Sequence, residues 1–219
     1  MALHHRDTLE LIMKALRNVF TADGDSYAVQ VATLNSKDFQ VPQRRHRIYI
    51  MGIRKLGRES VKIEWPTPTG QVSIRSILCH DVKLTSYKGY EMPGSQTAKK
   101  NLQSVLKKVI ELSQLAGVKP ERLPVIVDIS ASNPNWGVDE SPTLTRSRGE
   151  GLSFWSLQHA HRLTIQELMK LQGVNPHRVS ITRAGITKHQ FGAMLGNAFS
   201  VPVMKALIIA AIEASERNG

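Results

Sequence analysis

The sequence predicts an α/β fold on three observations. Asp7 to Phe20 repeats apolar side chains at helical spacing, Tyr27 to Leu34 is rich in β-formers, and Arg47 to Ile53 is a nearly unbroken apolar run. Helix, strand, loop and strand together make a piece of an α/β sheet. In the helix, Leu9, Ile12, Met13, Leu16, Val19 and Phe20 share a face, Asp7 with Glu10 reads as a capping box, and Asp23-Gly24-Asp25 breaks the pattern. The second strand is apolar at successive positions (Ile48, Tyr49, Ile50, Met51, Ile53), as a strand covered on both faces must be.

From Trp65 the texture changes. Trp65-Pro66-Thr67-Pro68-Thr69-Gly70 is turn chemistry and no period appears before Ser95, so a boundary is placed near residue 56. A helix follows from Lys99 to Ala116, with Leu102, Val105, Leu106, Val109 and Leu112 on one face, Gly117 closing it and Pro120 beyond. Leu123 to Ile129 is a strand candidate. Asn133 to Gly151 holds Trp136, Arg146, Arg148 and three glycines, the composition of a surface-reading loop. Thr164-Ile165-Gln166-Glu167 is a capping box with Leu163 and Leu168 as its hydrophobic staple, and Thr187-Lys188-His189-Gln190 repeats the pattern with Ile186 and Phe191. The last helix, from Val201 to Ala214, is apolar on almost every face and is expected to be buried on most sides.

Composition narrows the function. The 219 residues are 41% apolar, enough for a core, which argues against disorder and against a fibrous chain. The longest apolar run, Ala206 to Ile212, is far below the ~20 residues of a bilayer crossing, and Met1 to Arg6 has no apolar signal core. No membrane partner and no secretion are therefore expected. Cys79 is the only cysteine, so no internal disulfide can form; the thiol is read as a small buried or incidental one. Lys and Arg number 29 against 18 Asp and Glu, a net charge of +11, which makes a polyanion the leading partner. Charge alone does not choose among DNA, RNA and an anionic membrane surface.

Three stretches then carry a resemblance. Pro42-Gln43-Arg44-Arg45-His46-Arg47, leading into the Ile48-Tyr49 strand, resembles the Pro-Gln-x-Arg-x-Arg motif of the cytosine-5 DNA methyltransferases. Leu163-Thr164-Ile165-Gln166-Glu167, continuing to Leu171-Gln172-Gly173, resembles their Leu-Thr-x-x-Glu and Leu-Gln-Gly motif, with His161 where the family often has Arg. Leu195-Gly196-Asn197-Ala198-Phe199-Ser200-Val201-Pro202-Val203 resembles their terminal Gly-Asn motif. The order is the family's, and the stretch between the first two occupies the place of its target-recognition domain.

The resemblance implies a fold and a division of labour. Residues 1–55 would end the catalytic domain, 56–160 would form a small mixed target-recognition domain, and 161–219 would return as helices to the catalytic domain. The fold class is thus α/β: the C-terminal portion of a Rossmann-like, S-adenosylmethionine-dependent methyltransferase sheet plus that recognition domain. The family's Pro-Cys nucleophile, Glu-Asn-Val segment and Gly-rich cofactor loop have no counterpart. Cys79 follows the arginine motif and lacks the preceding proline, and Gly149-Glu150-Gly151 follows a polar loop. The expected protein is a C-terminal fragment or subunit of a DNA cytosine-5 methyltransferase, inactive alone. Its partners would be double-stranded DNA and an N-terminal methyltransferase half that shares the S-adenosylmethionine. The compartment would be the nucleus in a eukaryote and the cytoplasm or nucleoid in a bacterium.

Site residues follow by resemblance. Adding a thiolate at C6 of a flipped cytosine pushes negative charge onto the ring, which a fixed guanidinium beside O2 can stabilise. Arg47 is expected to make that contact, Arg45 to support it or meet a phosphate, and Gln43 to shape the loop. Gly196, Asn197 and Ala198 are expected at the cofactor, although Gly and Asn at a helix end also serve as a plain C-cap. Thr143, Thr145, Arg146 and Arg148 carry the hydroxyls and guanidiniums for DNA contacts, or else form a solvated loop. Lys99, Lys100, Lys107 and Lys108 either line DNA or lie on a solvated helix face. Thr164 and Glu167 are assigned capping alone, and Arg162 is left open between phosphate and an internal carboxylate. No metal is expected, since the eight histidines show no ligand spacing. Two other readings stand beside the methyltransferase: a non-catalytic nucleic-acid-binding module, and part of an RNA cytosine methyltransferase.

Overall fold

The computed structural model describes residues 3–57, 60–78, 93–130, 132–181 and 185–218, which fold as two units interleaved in sequence. The first unit draws on Met1–Leu34, His46–Pro68 and Val203–Gly219, the second on Asn35–Arg45 and Thr69–Pro202. Residues 35–45 of the expected first segment and 161–202 of the expected third thus lie in the second unit. Cys79 falls outside the described residues.

In the first unit, helix α1 (Leu3–Arg17) precedes strand β1 (Tyr27–Asn35) and strand β2 (His46–Arg54), which pair in a two-stranded sheet. The helix begins before Asp7, so Asp7 and Glu10 sit inside it and form no capping box. Asp23 and Asp25 after the helix both accept from Arg54, at 2.9 and 2.8 Å, and fasten the end of β2 to the turn before β1. Met51 and Ile53 on one face of β2 are buried, while Ile48 and Ile50 on the other are exposed. The expectation of a strand covered on both faces is therefore corrected: one face is buried, and on the other Ile48 and Ile50 stay more than a third exposed, Ile50 lining a cavity with Leu16 and Val19.

Helix α6 (Val201–Asn218) corrects a second expectation, that of burial on most sides. Val203, Leu207, Ala210 and Ala214 form a buried stripe at helical spacing, whereas Ile208, Ile209 and Ile212 are exposed, Ile208 by 53%. By length and composition alone, Lys188–Arg217 is apolar enough to cross a bilayer, a stretch that the count of unbroken apolar runs overlooks. It is divided between two helices of 10 and 18 residues, because the chain is extended at Ala198 (φ −68°, ψ 157°).

The second unit is built in layers on an antiparallel sheet of order β4-β3-β5-β6: β3 (Val125–Asp128), β4 (Asn135–Val138), β5 (Phe154–Ser156) and β6 (His161–Arg162). All four residues of β3 are buried, and their alternation feeds two cores. Val125 and Val127, with Trp155, meet Leu102, Val105 and Val109 of helix α2 (Gln96–Leu115). Ile126 and Phe154 face the opposite core, with Leu144, Leu163, Leu168, Phe191 and Leu195. That core holds both expected staple pairs. Asn133 to Gly151 is not one long loop: it contains β4 and a short helix, α3 (Arg146–Glu150). The polar composition misled because α3 packs on helix α5 (Lys188–Asn197) through backbone, Gly149 lying directly on Gly192.

Candidate functional site

The loop between β1 and β2 is the starting point. After β1, Ser36–Asp38 makes a 3-10 turn, and Asn35 Oδ1 accepts from the backbone of Lys37 at 3.4 Å and of Arg45 at 3.0 Å. The Ser36 N–H donates to the Arg45 carbonyl at 3.0 Å. These bonds close residues 35–45 on themselves and aim Gln43 and Arg45 inward.

Gln43 is fully buried and bridges two chain segments. Its Nε2 donates to the Leu171 carbonyl at 2.9 Å, and its Oε1 accepts from the Leu144 N–H at 2.9 Å. Arg45 is 4% exposed. Its guanidinium donates to the carbonyl oxygens of Leu144, of Gly196 at 3.2 Å and of Ala198 at 2.9 Å. Gly196 and Ala198 close α5, where orphaned carbonyls carry the negative end of the helix dipole. Arg45 is thus a C-terminal cap for α5, a positioning residue that fixes the Gly196-Asn197 turn. The expectation that Arg45 meets phosphate or backs Arg47 is replaced by this use of its donors.

Three residues given no role by the sequence reading complete the network. Gln172, fully buried, donates through Nε2 to the Leu195 carbonyl at 2.9 Å, and its Oε1 accepts from Ser200 Oγ at 3.2 Å. Ser200 Oγ lies 2.6 Å from Ser36 Oγ. The signal was present: Gln172 is the one polar side chain in Leu171-Gln172-Gly173, and a polar residue inside an apolar motif needs a partner.

The other expected site residues divide. Asn197, the last residue of α5, is exposed; Ala198 is half-buried, and Gly196 is buried with its carbonyl committed to Arg45. Arg47 is the second residue of β2 in the first unit, its Nη1 donating to the His46 carbonyl at 2.8 Å. Thr143 Oγ1 donates to the Arg44 carbonyl at 2.7 Å, and Arg148 Nε donates to Asp128 at 2.5 Å. Thr145 is half-buried at the start of α3, and Arg146 is exposed. Thr164 and Glu167 form the expected capping box, and Arg162 donates to the Leu152 carbonyl at 2.9 Å. Among the described residues no group of three or more His, Cys, Asp or Glu is placed to hold a metal.

Gln43, Arg45, Leu171, Gln172, Gly196 and Ser200 thus bring the three motif stretches to one polar network, together with the Leu144 strand of chain. The fold is that of solved methyltransferases. S. pombe Dnmt2 methyltransferase superposes with a TM-score of 0.52 at 19% identity, over 96% of this chain and 63% of that one. The Entamoeba histolytica methyltransferase EhMeth superposes with a TM-score of 0.50 at 15% identity, over 97% and 58%. The C-5 cytosine-specific DNA methylase family matches residues 1–213, and the chain belongs to that family. It is 28% identical over 184 residues to the Type II methyltransferase M.HaeII of Haemophilus aegyptius, covering 83% of this chain and 49% of that protein. To the Type II methyltransferase M.NgoBI of Neisseria gonorrhoeae it is 25% identical over 202 residues, covering 91% and 53%. The chain spans about half the length of these relatives.

Proposed function

We propose that the chain is the C-terminal half of a DNA cytosine-5 methyltransferase: the end of its Rossmann-like sheet, its target-recognition domain and the returning helices. The observation that carries this is the convergence of the three motif stretches on the Gln43–Arg45–Gln172 network, which sets the Gly196-Asn197 turn. The half-length match and the absence of a Pro-Cys dipeptide support a division of the site. The complementary half supplies the cysteine, the glutamate and the Gly-rich loop.

S-adenosylmethionine supplies the methyl group when bound. Asn197 is assigned to border it, because it is exposed at the end of α5 while Gly196 is buried with its carbonyl spent on Arg45. On this assignment the turn is one wall of the cofactor site. The cavity of about 360 Å³ lined by Leu16, Val19, Tyr27, Val29, Ile50 and Gly52 has no charged residue and does not fit that zwitterion. Arg47 is assigned to the cytosine O2, where a guanidinium offsets the charge that builds on the ring. Arg146 and Thr145 are assigned to DNA.

The test combines the purified chain with a separately produced catalytic half, labelled S-adenosylmethionine and either duplex DNA or RNA. Transfer to duplex DNA only in the mixture is expected. Transfer by the chain alone overturns the division of the site, transfer to RNA alone overturns the substrate, and silence of every mixture overturns the enzyme reading.

A further inference from the structure

One carboxylate grips the loop after β1 at both ends. Glu140 Oε2 lies 2.6 Å from Lys37 Nζ, its Oε1 lies 3.6 Å from Arg44 Nη1, and its side chain is only 13% exposed. Lys37 stands in the 3-10 turn that starts the loop and Arg44 near its close, so two like charges that would repel are drawn onto one anion. An isolated exposed pair contributes little, but here three charges form a network around an anion mostly withdrawn from water. Glu140 is itself fixed. Asp139 before it takes a left-handed φ of 58°, donates its N–H to the Pro124 carbonyl at 2.8 Å, and accepts from Ser73 Oγ and from the Ile74 N–H at 3.2 Å. Gly137 makes room for the turn: a methyl group there would meet the Glu140 carbonyl oxygen at 2.6 Å. Beyond Glu140 the chain runs along the loop, the Arg44 N–H donating to the Ser141 carbonyl at 2.9 Å and the Ser141 N–H to the Pro42 carbonyl at 2.8 Å.

We propose that Glu140 is a positioning residue for the cofactor turn: by drawing Lys37 and Arg44 together it fixes the loop that aims Arg45 at Gly196 and Ala198, and through them it sets Asn197. The proposal rests on the reading of that turn as one wall of the cofactor site. Arg45 follows the clamped Arg44 directly, and its guanidinium reaches the Gly196 and Ala198 carbonyls at 3.2 and 2.9 Å. A side chain that must meet several carbonyls at once depends on the backbone that launches it, so what locks the loop also locks the turn. Displacements of about 1 Å at a binding group are enough to be felt in kinetics.

Glu140→Gln keeps the size of the side chain and removes its charge. In the full chain alone, amide exchange at residues 195–199 should quicken at least tenfold while exchange in α2 stays as in the parent. Lys37→Met should act in the same direction to a smaller degree, and should quicken exchange no further in the Glu140→Gln background. In the mixture with the catalytic half, Glu140→Gln should raise the KM for S-adenosylmethionine at least fivefold and leave kcat and the KM for duplex DNA within twofold. A loss of stability alone would lower kcat, through fewer folded molecules, without moving either KM. Glu140→Asp, which keeps the charge, should recover at least half of the change. Unchanged exchange at residues 195–199 overturns the proposal, as does equal quickening in α2, or a Lys37→Met effect that adds in full to that of Glu140→Gln. Local quickening beside a parent mixture that transfers no methyl group keeps the clamp and removes the enzyme reading. A parent mixture that transfers methyl, with Glu140→Gln kinetically identical to it, removes the clamp and leaves the enzyme reading in place.

Discussion

Arg45 donates to the carbonyl oxygen of Ala198 at 2.9 Å across 153 positions of sequence, and the same guanidinium meets Gly196 at 3.2 Å. An arginine from the loop after β1 thereby ends the helix that carries Asn197. Arg45→Met keeps the stem and removes the donors, leaving buried carbonyls unmet. At roughly 1–3 kcal/mol per buried group left without a partner, the variant should lose about 2–4 kcal/mol. A urea midpoint that falls with an unchanged slope would confirm it. Arg45→Lys should recover only part of the loss, because an ammonium cannot span three carbonyls as the planar fork does.

Gly149 and Gly192 let α3 and α5 touch through backbone, and Gly196 does the same against Thr145. A methyl group on Gly196 would strike the Thr145 carbonyl, and one on Gly192 would strike the Gly149 carbonyl. Neither obstacle is a flexible side chain, so Gly192→Ala and Gly196→Ala should each cost about 2–3 kcal/mol through overpacking. Gly117→Ala is the comparison. It has open space but a φ of +63°, so its cost should be only the left-handed penalty of about 1–2 kcal/mol. Thermal unfolding of the three proteins side by side checks the ranking, and equal losses would contradict it.

The elements were legible where a period ran long enough. The helices starting at Thr164 and Thr187 were read from capping boxes that both form, because N-cap chemistry is local to four residues. The short helix in Arg146–Glu150 escaped because five residues carry no period and its packing rests on glycines. The three motif stretches were legible by resemblance. Their joining through Gln172 and Ser200 was not, since a hydrogen bond between Ser36 and Ser200 is a property of the tertiary fold. Coverage of β2 differs from expectation for a related reason: an apolar run shows that side chains at Ile48 and Ile50 favour burial, without fixing how fully the tertiary fold buries them.

Arg146 and Arg148 are two residues apart and should behave differently in DNA binding. Arg146 is exposed, whereas Arg148 is held by the buried Asp128 at 2.5 Å. If Arg146 meets a phosphate, Arg146→Ala should lower the slope of log affinity against log salt by about 0.9 and leave stability unchanged. Arg148→Ala should instead lower stability by about 1–3 kcal/mol, by leaving the Asp128 carboxylate without its charged donor. Salt titrations of binding to a fluorescent duplex, with unfolding curves for both variants, separate the roles. Equal salt slopes for Arg146→Ala and the parent would remove Arg146 from the DNA-contacting set.

Glu64 gives the first unit an acid-sensitive tie. Its carboxylate lies 2.6 Å from Lys62 Nζ and 2.7 Å from Arg217 Nη1, joining the segment after β2 to the end of α6. Hydrogen bonding from Lys62 first, and from Arg217 next, holds the carboxyl down at about 2 against its ordinary 4.5. A depressed carboxyl stabilises the folded state above its unfolded pKa, so this contribution is complete above pH 4.5 and is lost as the pH falls through about 2. All three side chains are well exposed, so salt should weaken the effect. Carboxyl NMR titration at low ionic strength should place Glu64 near 2, with Lys62→Met and Arg217→Met each raising the midpoint. Glu64→Gln should flatten the stability profile in that window. A Glu64 midpoint at the ordinary carboxylate value in the unmodified chain would show that the two cations do not hold it.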